Sequence, residues 1–416
     1  MEFTGAVALG QSVAETIRSG ISKSDCFADA EAILMLGMMC SLLSAGTWLL
    51  IASYFGLPVS TTHSTVGAII GFTVAAKGWD CVHWGWLEGG KGFAGIALSW
   101  IVSPLASGIV AAIIYLLVVI IILKAPNPEK RAFQSIPFIF AGTVAIVTAL
   151  IFLKSPALKK VKFPEEASWG IVGGLTGICF IVGFFWGTPI MKKFMYLRTK
   201  YTSPKSPQYD SLPDENIPLT EENAEPPEDR RAQESAVDNV FVFFQVMTAS
   251  FESFAHGAND TANAIGPFVA VFLIYYYGEP VKEDTPVWAL AAGGAGIVVG
   301  LATFGQRVMD TIGKDLTNVN FTRGFAIEMA STLVVVVASR LGFPISTTHC
   351  QVGSVVFVGW INKWLHQTRF SPAEPLDTVG VDWRLFLNVG ISWVVTVPVA
   401  GIMSAGIYGI LSHLVV

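Results

Sequence analysis

Charge is what this sequence has least of. Only 14% of its residues are Asp, Glu, Lys or Arg, against roughly 25% in an ordinary soluble domain. That shortage excludes a conventional cytosolic enzyme, a nucleic-acid binder and a disordered chain. Cations are also missing ahead of the first apolar stretch: Met1 is followed by Glu-Phe-Thr-Gly-Ala, so the start does not read as a secretory signal. The five cysteines (26, 40, 81, 179, 350) are odd in number and scattered, with no Cys-x-x-Cys pair. Neither a disulfide framework nor a zinc site is expected from them. Gly85-Trp86-Leu87-Glu88-Gly89-Gly90-Lys91 imitates a phosphate loop, but Gly92 stands where Ser or Thr is required. The strand–loop–helix setting is missing too, so nucleotide binding is not expected.

Apolar residues take the place of charge, at 52% of the chain, with a mean hydropathy of +0.57. Crossing ~30 Å of hydrocarbon as helix takes ~20 such residues. Runs of this kind lie near 28–55, 92–123, 133–153, 167–191, 241–255, 267–277, 286–304, 325–341 and 385–416. The piece at 267–277 is too short alone and is expected to continue a broken helix; the last run carries Pro398 and is read as kinked. The fold class that follows is an all-α integral membrane protein of about nine or ten spans, since open sheets leave backbone groups unpaired in lipid.

Residues 198–240 interrupt the pattern. They hold 10 acidic and 5 basic side chains, which accounts for the whole net charge of −5. Rich in proline and poor in large aliphatic residues, this stretch cannot offset its ordering entropy and reads as a flexible aqueous loop. Lys192, Lys193, Arg198, Lys200 and Lys205 at its start favour a cytoplasmic location, while Lys154, Lys159, Lys160 and Lys162 at the other end of the same span pull the opposite way.

The loop separates two halves that repeat each other. Residues 56–67 read GLPVSTTHSTVG and residues 342–353 read GFPISTTHCQVG, with nine of twelve positions identical or Val/Ile exchanges at an offset of 286. Upstream, GAVALGQSVAETI from Gly5 to Ile17 aligns with GLATFGQRVMDTI from Gly300 to Ile312 at an offset of 295. Two such blocks in one order mean an internal duplication. In a membrane protein this points to a transporter whose substrate sits where the halves meet; a duplicated bundle without transport is the alternative.

In each repeat a Pro closes an apolar run and Ser-Thr-Thr-His follows, so a helix is expected to restart there. Ser60, Thr61 and Thr62, like Ser346, Thr347 and Thr348, then place hydroxyls and backbone N–H groups at a helix N-terminus, which suits a tetrahedral oxyanion. An ordinary Ser/Thr cap is the plainer reading. The second signature runs from His256 to Pro267, HGANDTANAIGP. Its carboxylate, Asp260, falls at membrane depth and marks a substrate or ion path. Gly257 is expected to break the helix, while Asn259, Asp260 and Asn263 offer the oxygens a hard cation such as Na+ takes. A phosphate beside Asp260 is repelled unless a cation or proton lies between them, which argues for cation-coupled uptake.

GANDTANAIGP together with two Pro-x-Ser-Thr-Thr-His blocks resembles the inorganic phosphate transporter (PiT) family of cation–phosphate symporters, through nearly the whole chain outside the loop. The resemblance implies two inverted repeats with broken or re-entrant helices, phosphate held between the paired motifs, and Na+ or H+ as the coupling ion. Carried over, Ser60, Thr61, Thr62, Asn259, Asp260, Ser346, Thr347 and Thr348 are the phosphate ligands. Asp260, Asn259, Asn263, Glu328 (in FAIEMAS) and Glu2 (in EFTGA) are the cation ligands. The expected organisation is a first transport repeat over 1–123, additional helices over 124–197, the loop, and a second repeat over 241–416. Family members carry the Asx motif in each half, and here only the second copy is present. By the repeat spacing the first is expected roughly 38 residues ahead of Met1, so the chain reads as N-terminally short. A non-transporting membrane component therefore stands as the alternative function. The expected partners are inorganic phosphate, Na+ or H+ and a lipid bilayer, the plasma membrane by preference, with no nucleic acid, no cofactor and no enzymatic role. A homodimer is compatible with the sequence, which does not fix the oligomeric state.

Five other polar residues carry plainer readings. Glu252 is either a proton relay or a partner paired within the bundle. His63 and His349 are read as hydrogen-bonding locally rather than binding metal. Arg340 is read as snorkelling to the interface in preference to neutralising an anion. Asn320-Phe321-Thr322 is a glycosylation sequon only if it faces a secretory lumen.

Overall fold

The computed structural model describes residues 1–86, 92–153, 164–193, 228–280, 283–310, 316–317, 319–367 and 380–415. Among them there are no strands, only an isolated bridge between Ser22 and Val82. The helices are α1 (Glu2–Ser19), α2 (Glu31–Tyr54), α3 (Thr61–Lys77), α4 (Phe93–Val118), α5 (Pro128–Phe152), α6 (Glu165–Val182), α7 (Glu228–Tyr277), α8 (Val287–Asp310), α9 (Phe321–Leu341), α10 (Thr347–Gln367) and α11 (Trp383–Val415). A π-turn extends α4 over Val119–Leu123 and another extends α6 over Gly183–Gly187. Seven of these helices, α2, α4, α5, α6, α8, α9 and α11, are long and apolar enough to cross a membrane. This is an all-α membrane protein.

Two helical hairpins organise the fold. The 17 residues of α3 make a rod of about 25 Å, short of a full crossing. Its far end returns to the side from which α2 departs. Lys23 N donates to Cys81 O (2.9 Å), Lys23 Nζ to Asp80 O (2.7 Å), and Cys26 is disulfide-bonded to Cys81 with Cα atoms 5.9 Å apart. The expectation of no disulfide is thereby corrected. The two cysteines are 55 residues apart, and it is the return of the hairpin, not a spacing motif, that brings them together. The second hairpin, α9–α10, has its open end elsewhere. Leu316, just before α9, and Leu365, near the end of α10, share a core with Tyr115 and Val119 at the far end of α4. The start of α4 belongs instead to the core around Phe27, beside the disulfide, with Phe93 packed against it. The hairpins thus enter from opposite ends of the bundle. The last helix, α11, connects the same two ends in the reverse sense, with Val389 in the first of these cores and Tyr408 in the second.

Close helix approach depends on glycine at matching positions. A Cβ on Gly67 would run into the backbone carbonyl of Val397 in α11, and one on Gly353 into that of Pro104 in α4. Without a hydrophobic drive between helices in lipid, such close contacts carry the association.

Two expectations about α7 are corrected. It runs unbroken for 50 residues through Gly257 and Pro267, so 267–277 continues an intact helix. Gly257 serves packing instead: a Cβ there would collide with the Glu2 carbonyl, and one on Gly5 with the Phe254 carbonyl, so α1 and α7 meet backbone to backbone. The helix also begins at Glu228, inside the stretch read as loop. Downstream of Pro227 the sequence is free of proline until Pro267, and Val237 and Val240 are fully buried against α5 and α9. Residues 194–227, and 87–91 of the phosphate-loop imitation, lie outside the described residues. Asn320 caps α9 by accepting from Arg323 N at 2.9 Å. Arg340 donates to Leu150 O at 3.2 Å.

Candidate functional site

Each Ser-Thr-Thr-His block opens a helix, as its sequence requires. Ser60 Oγ accepts from His63 N and Ser346 Oγ from His349 N, both at 3.2 Å. The first hydroxyl of each block is therefore an N-cap, the plainer reading, and satisfies one of the orphan N–H groups. The third hydroxyl is also committed. Thr62 Oγ1 donates to Ile345 O (3.0 Å), and Thr348 Oγ1 donates to Val59 O (3.4 Å). These are the same contact seen from either side, because Val59 and Ile345, like Thr62 and Thr348, are repeat partners. The two hairpin tips are laced to each other by reciprocal bonds.

Behind the tips runs a column of four rings. Trp100 of α4 stacks on His63 with centroids 3.7 Å apart, His63 lies 4.6 Å from His349, and His349 stacks on Trp393 of α11 at 3.7 Å. Both histidines are 3% exposed, too enclosed for a wet metal site. His349 Nδ1 lies 3.0 Å from Trp100 O, and Trp393 Nε1 donates to Pro58 O at 2.9 Å. Both rings stack, but the expected local hydrogen bond is made by His349 alone, since His63 Nδ1 is buried without a partner.

The middle hydroxyls, Thr61 and Thr347, face α7. Thr347 Oγ1 donates to Asp260 Oδ2 at 2.7 Å, and Asn263 Nδ2 donates to Thr61 Oγ1 at 3.0 Å and to Asp260 Oδ1 at 3.4 Å. One turn of α7 thus joins the two tips through a carboxylate and an amide. Asn259 turns aside, its Nδ2 donating to Ser339 Oγ (3.2 Å) and Phe343 O (3.4 Å). Its Oδ1, and that of Asn263, are buried and have no hydrogen-bond partner. Two orphaned amide oxygens are costly to leave so, and with the Asp260 carboxylate they are acceptors of the kind a hard cation takes.

Glu2 reaches this cluster only through His256. The ring lies 2.9 Å from Glu2 Oε2 at Nδ1 and 2.9 Å from Asp260 Oδ2 at Nε2. With both carboxylates ionised, both ring nitrogens must carry a proton. His256 was outside the ligand set drawn from the sequence. It stands one turn before Asp260, an i,i+4 spacing that could have flagged it. Glu328 stands apart: it accepts from Thr248 Oγ1 (2.7 Å) and Gln245 Nε2 (3.1 Å), a separate polar cluster between α7 and α9. Glu252 hydrogen-bonds Ser331 and lies between the two clusters in the chain. Among the described residues no group of three His, Cys, Asp or Glu side chains is placed to hold a metal ion, so any cation here rests on amide and hydroxyl oxygens together with Asp260.

Of the residues read from the sequence, Thr61, Thr347, Asp260, Asn263 and, through His256, Glu2 are brought together, while Asn259 bonds Ser339 and Phe343 instead. Ser60, Ser346, Thr62 and Thr348 frame the place without facing it, and Glu328 lies elsewhere.

The profile of the phosphate transporter family matches residues 1–404. A chain from Thermococcus kodakarensis, provisionally named a phosphate permease, is 35% identical over 412 residues, covering 99% of this chain and 86% of that one. The sodium-dependent phosphate transporter 2 of Xenopus tropicalis is 28% identical, covering 99% and 91%. The chloroplastic inorganic phosphate transporter 2-1 of Arabidopsis thaliana is 36% identical, covering 94% and 62%. A solved structure described as a sodium-dependent phosphate transporter superposes with a TM-score of 0.77 at 32% identity, covering all of this chain and 88% of that one. With the site assembled from the two repeated blocks and α7, and the match running through nearly the whole sequence, this transmembrane chain is no enzyme but belongs to the phosphate transporter family.

Proposed function

We propose that the protein is a symporter that moves inorganic phosphate on a sodium gradient. Phosphate lies between the tips of the two hairpins, where the starts of α3 and α10 bring N–H groups and the Thr61 and Thr347 hydroxyls to one place. The observation that carries this reading is the pair of orphaned amide oxygens of Asn259 and Asn263 beside Asp260. Asp260 and Glu2 together carry one more negative charge than the His256 ring between them offsets, so an anion enters with a further cation, and the acceptors for one are there. Sodium is favoured over a proton because amide oxygens coordinate a hard cation but do not hold a proton near neutral pH, and the names of the relatives agree. Residues 1–123 and 241–416 act as the two transport repeats, inverted with respect to each other, with the helices of 124–197 added between them.

The orientation follows from redox chemistry. A disulfide persists in an oxidising compartment, so the end bearing Cys26–Cys81 faces outward from a plasma membrane. Counting the crossings of α4, α5 and α6 then puts Lys192, Lys193 and the stretch after them on the cytoplasmic side, in line with the positive-inside rule.

The test is labelled-phosphate uptake by proteoliposomes with imposed gradients. A sodium gradient at symmetrical pH should drive accumulation above equilibrium. Accumulation driven equally well by a pH gradient without sodium would replace sodium with a proton. Binding without accumulation under either gradient would overturn the symport reading.

A further inference from the structure

At the end of the bundle opposite the disulfide, α5 begins behind Asn127, whose Oδ1 accepts from Lys130 N at 3.0 Å. Two open clefts flank this start. One, of about 640 Å³, lies between α5 and α6 and is walled by Phe133, Pro137, Phe180 and Phe184. The other, of about 570 Å³, lies between α4 and α5 and is walled mainly by Leu117, Ile121 and Ile139. Gln134 and Phe138 line both, so the clefts straddle one helix.

Their depths are apolar and their rims are cationic. Lys130 and Lys192 line the first and Arg131 the second, with Lys124 and Lys193 exposed close by in the chain. Among the described residues, Glu129 is the one acidic side chain lining either cleft. Lys192 Nζ hangs 5.4 Å over the Phe133 ring, tethering the end of α6 to the cleft wall. Deeper in, the π-turn of α6 fits Gly183 against Pro137 and Gly187 against Ile136, where a Cβ would come within 2.8 Å of either. The helices therefore touch at that level, and the cleft runs alongside the contact from Phe180 to Lys192. Phe184, Phe185 and Trp186 point outward at 60%, 62% and 56% exposure.

Apolar clefts alone would take any lipid chain, and cations alone would only mark the cytoplasmic boundary. Their combination on both flanks of a single helix start selects further. We propose that a two-chain anionic glycerophospholipid of the bilayer seats here, its headgroup held by Lys130, Arg131 and Lys192 over the start of α5, one acyl chain in each cleft. The positive dipole end at the start of α5 adds to the attraction for its phosphate.

The experiment uses the purified full chain in detergent, titrated with phosphatidylglycerol or phosphatidylcholine micelles and read by native mass spectrometry as lipid retained per chain. Phosphatidylglycerol should be retained at least tenfold more strongly than phosphatidylcholine. Each cation removed should weaken that retention about fivefold, so Lys192→Gln loses fivefold and the Lys130→Gln/Arg131→Gln/Lys192→Gln variant loses the preference altogether. These side chains are exposed, and an unchanged melting midpoint in phosphatidylcholine confirms that the variant is folded. Gln134→Trp, which intrudes on both clefts while leaving the cations, should weaken retention of both lipids. Equal retention of the two lipids by the unaltered chain, or a preference surviving the triple variant, overturns the proposal. So does full displacement by glycerophosphoglycerol or inorganic phosphate at the same concentration, since that would mark a bare anion patch. Quantitative disulfide cross-linking of Trp186→Cys chains in lipid-free detergent would likewise overturn it by placing a second copy on this face.

Discussion

Thr347 holds the sharpest test of how cation and anion are coupled. Its hydroxyl has one proton, which it donates to Asp260 Oδ2 at 2.7 Å. Phosphate can receive it only when something else satisfies the carboxylate. Sodium at Asp260 does so, and on this reading it releases the Thr347 proton to the anion. A hydrogen bond to a charged group is worth roughly 1.5–3 kcal/mol, which is about ten- to a hundredfold in affinity. Thr347→Val, which keeps the shape, should therefore leave phosphate binding nearly unchanged at low sodium. At saturating sodium it should lose that ten- to hundredfold. Sodium's enhancement of phosphate affinity shrinks by the same factor, and by reciprocity so does phosphate's enhancement of sodium affinity. Thr61 is the control. It accepts from Asn263 instead of donating to the carboxylate, so its proton is available whether or not sodium is bound. Thr61→Val should weaken phosphate binding by a similar factor at both sodium concentrations. The assay is calorimetric phosphate titration of the wild type, both singles and the double, at low and saturating sodium. Equal losses for Thr347→Val at the two concentrations, or a silent substitution, would refute the idea that Asp260 and phosphate compete for this hydroxyl.

Asp260→Asn should abolish gradient-driven uptake with the fold intact, and near-normal uptake by correctly inserted protein would sink the role given to the carboxylate. Cys26→Ser should lower the melting midpoint measured in lipid. Closing a 55-residue loop corresponds to about 4 kcal/mol in the chain-entropy account, an upper value here because insertion already restrains the unfolded chain. The freed Cys81 should then react with a membrane-impermeant maleimide added outside, and labelling from the inside alone would reverse the orientation. Gly67→Ala and Gly353→Ala each press a methyl group onto a backbone carbonyl, so each should cost about 1–3 kcal/mol of stability in thermal melts; a neutral result at either would show that the helices can separate there.

What was legible in the sequence, and what was not, divides along a physical line. The restart of a helix at Thr61 and Thr347 could be read because proline and serine act locally, through φ and through an N-cap. The repeat could be read because nine of twelve positions match. Gly257 was misread because glycine has two uses that a sequence does not distinguish, bending its own helix or admitting a neighbour; the neighbour was the Glu2 backbone, 255 residues away in the chain. The disulfide was missed for the same reason, since its partners meet only when α2 and α3 fold back together. The six hydroxyls were read as equivalent, although a repeat of sequence does not give each copy the same neighbours. Only the middle one of each block faces α7. Glu328 was placed with the other acidic ligands on family likeness, yet Thr248 and Gln245 hold it in a pocket of its own.

The pattern of symmetry in the site bears on how it works. The tips exchange reciprocal bonds, Thr62 to Ile345 and Thr348 to Val59, and the ring column is likewise paired, tryptophan outside and histidine inside at both ends. Symmetric contacts between hairpins that enter from opposite ends have no preferred side, so they favour neither an outward nor an inward opening. The contacts with α7 are different in kind: a hydroxyl-to-carboxylate bond at Thr347 and an amide-to-hydroxyl bond at Thr61. A cation at Asp260 disturbs the first directly and the second only through Asn263. Its arrival therefore loosens α10 from α7 before it loosens α3, which biases an otherwise balanced pair of tips. On the proposed reading, that difference is what lets a bound ion decide which hairpin yields, and hence which side of the membrane the phosphate sees.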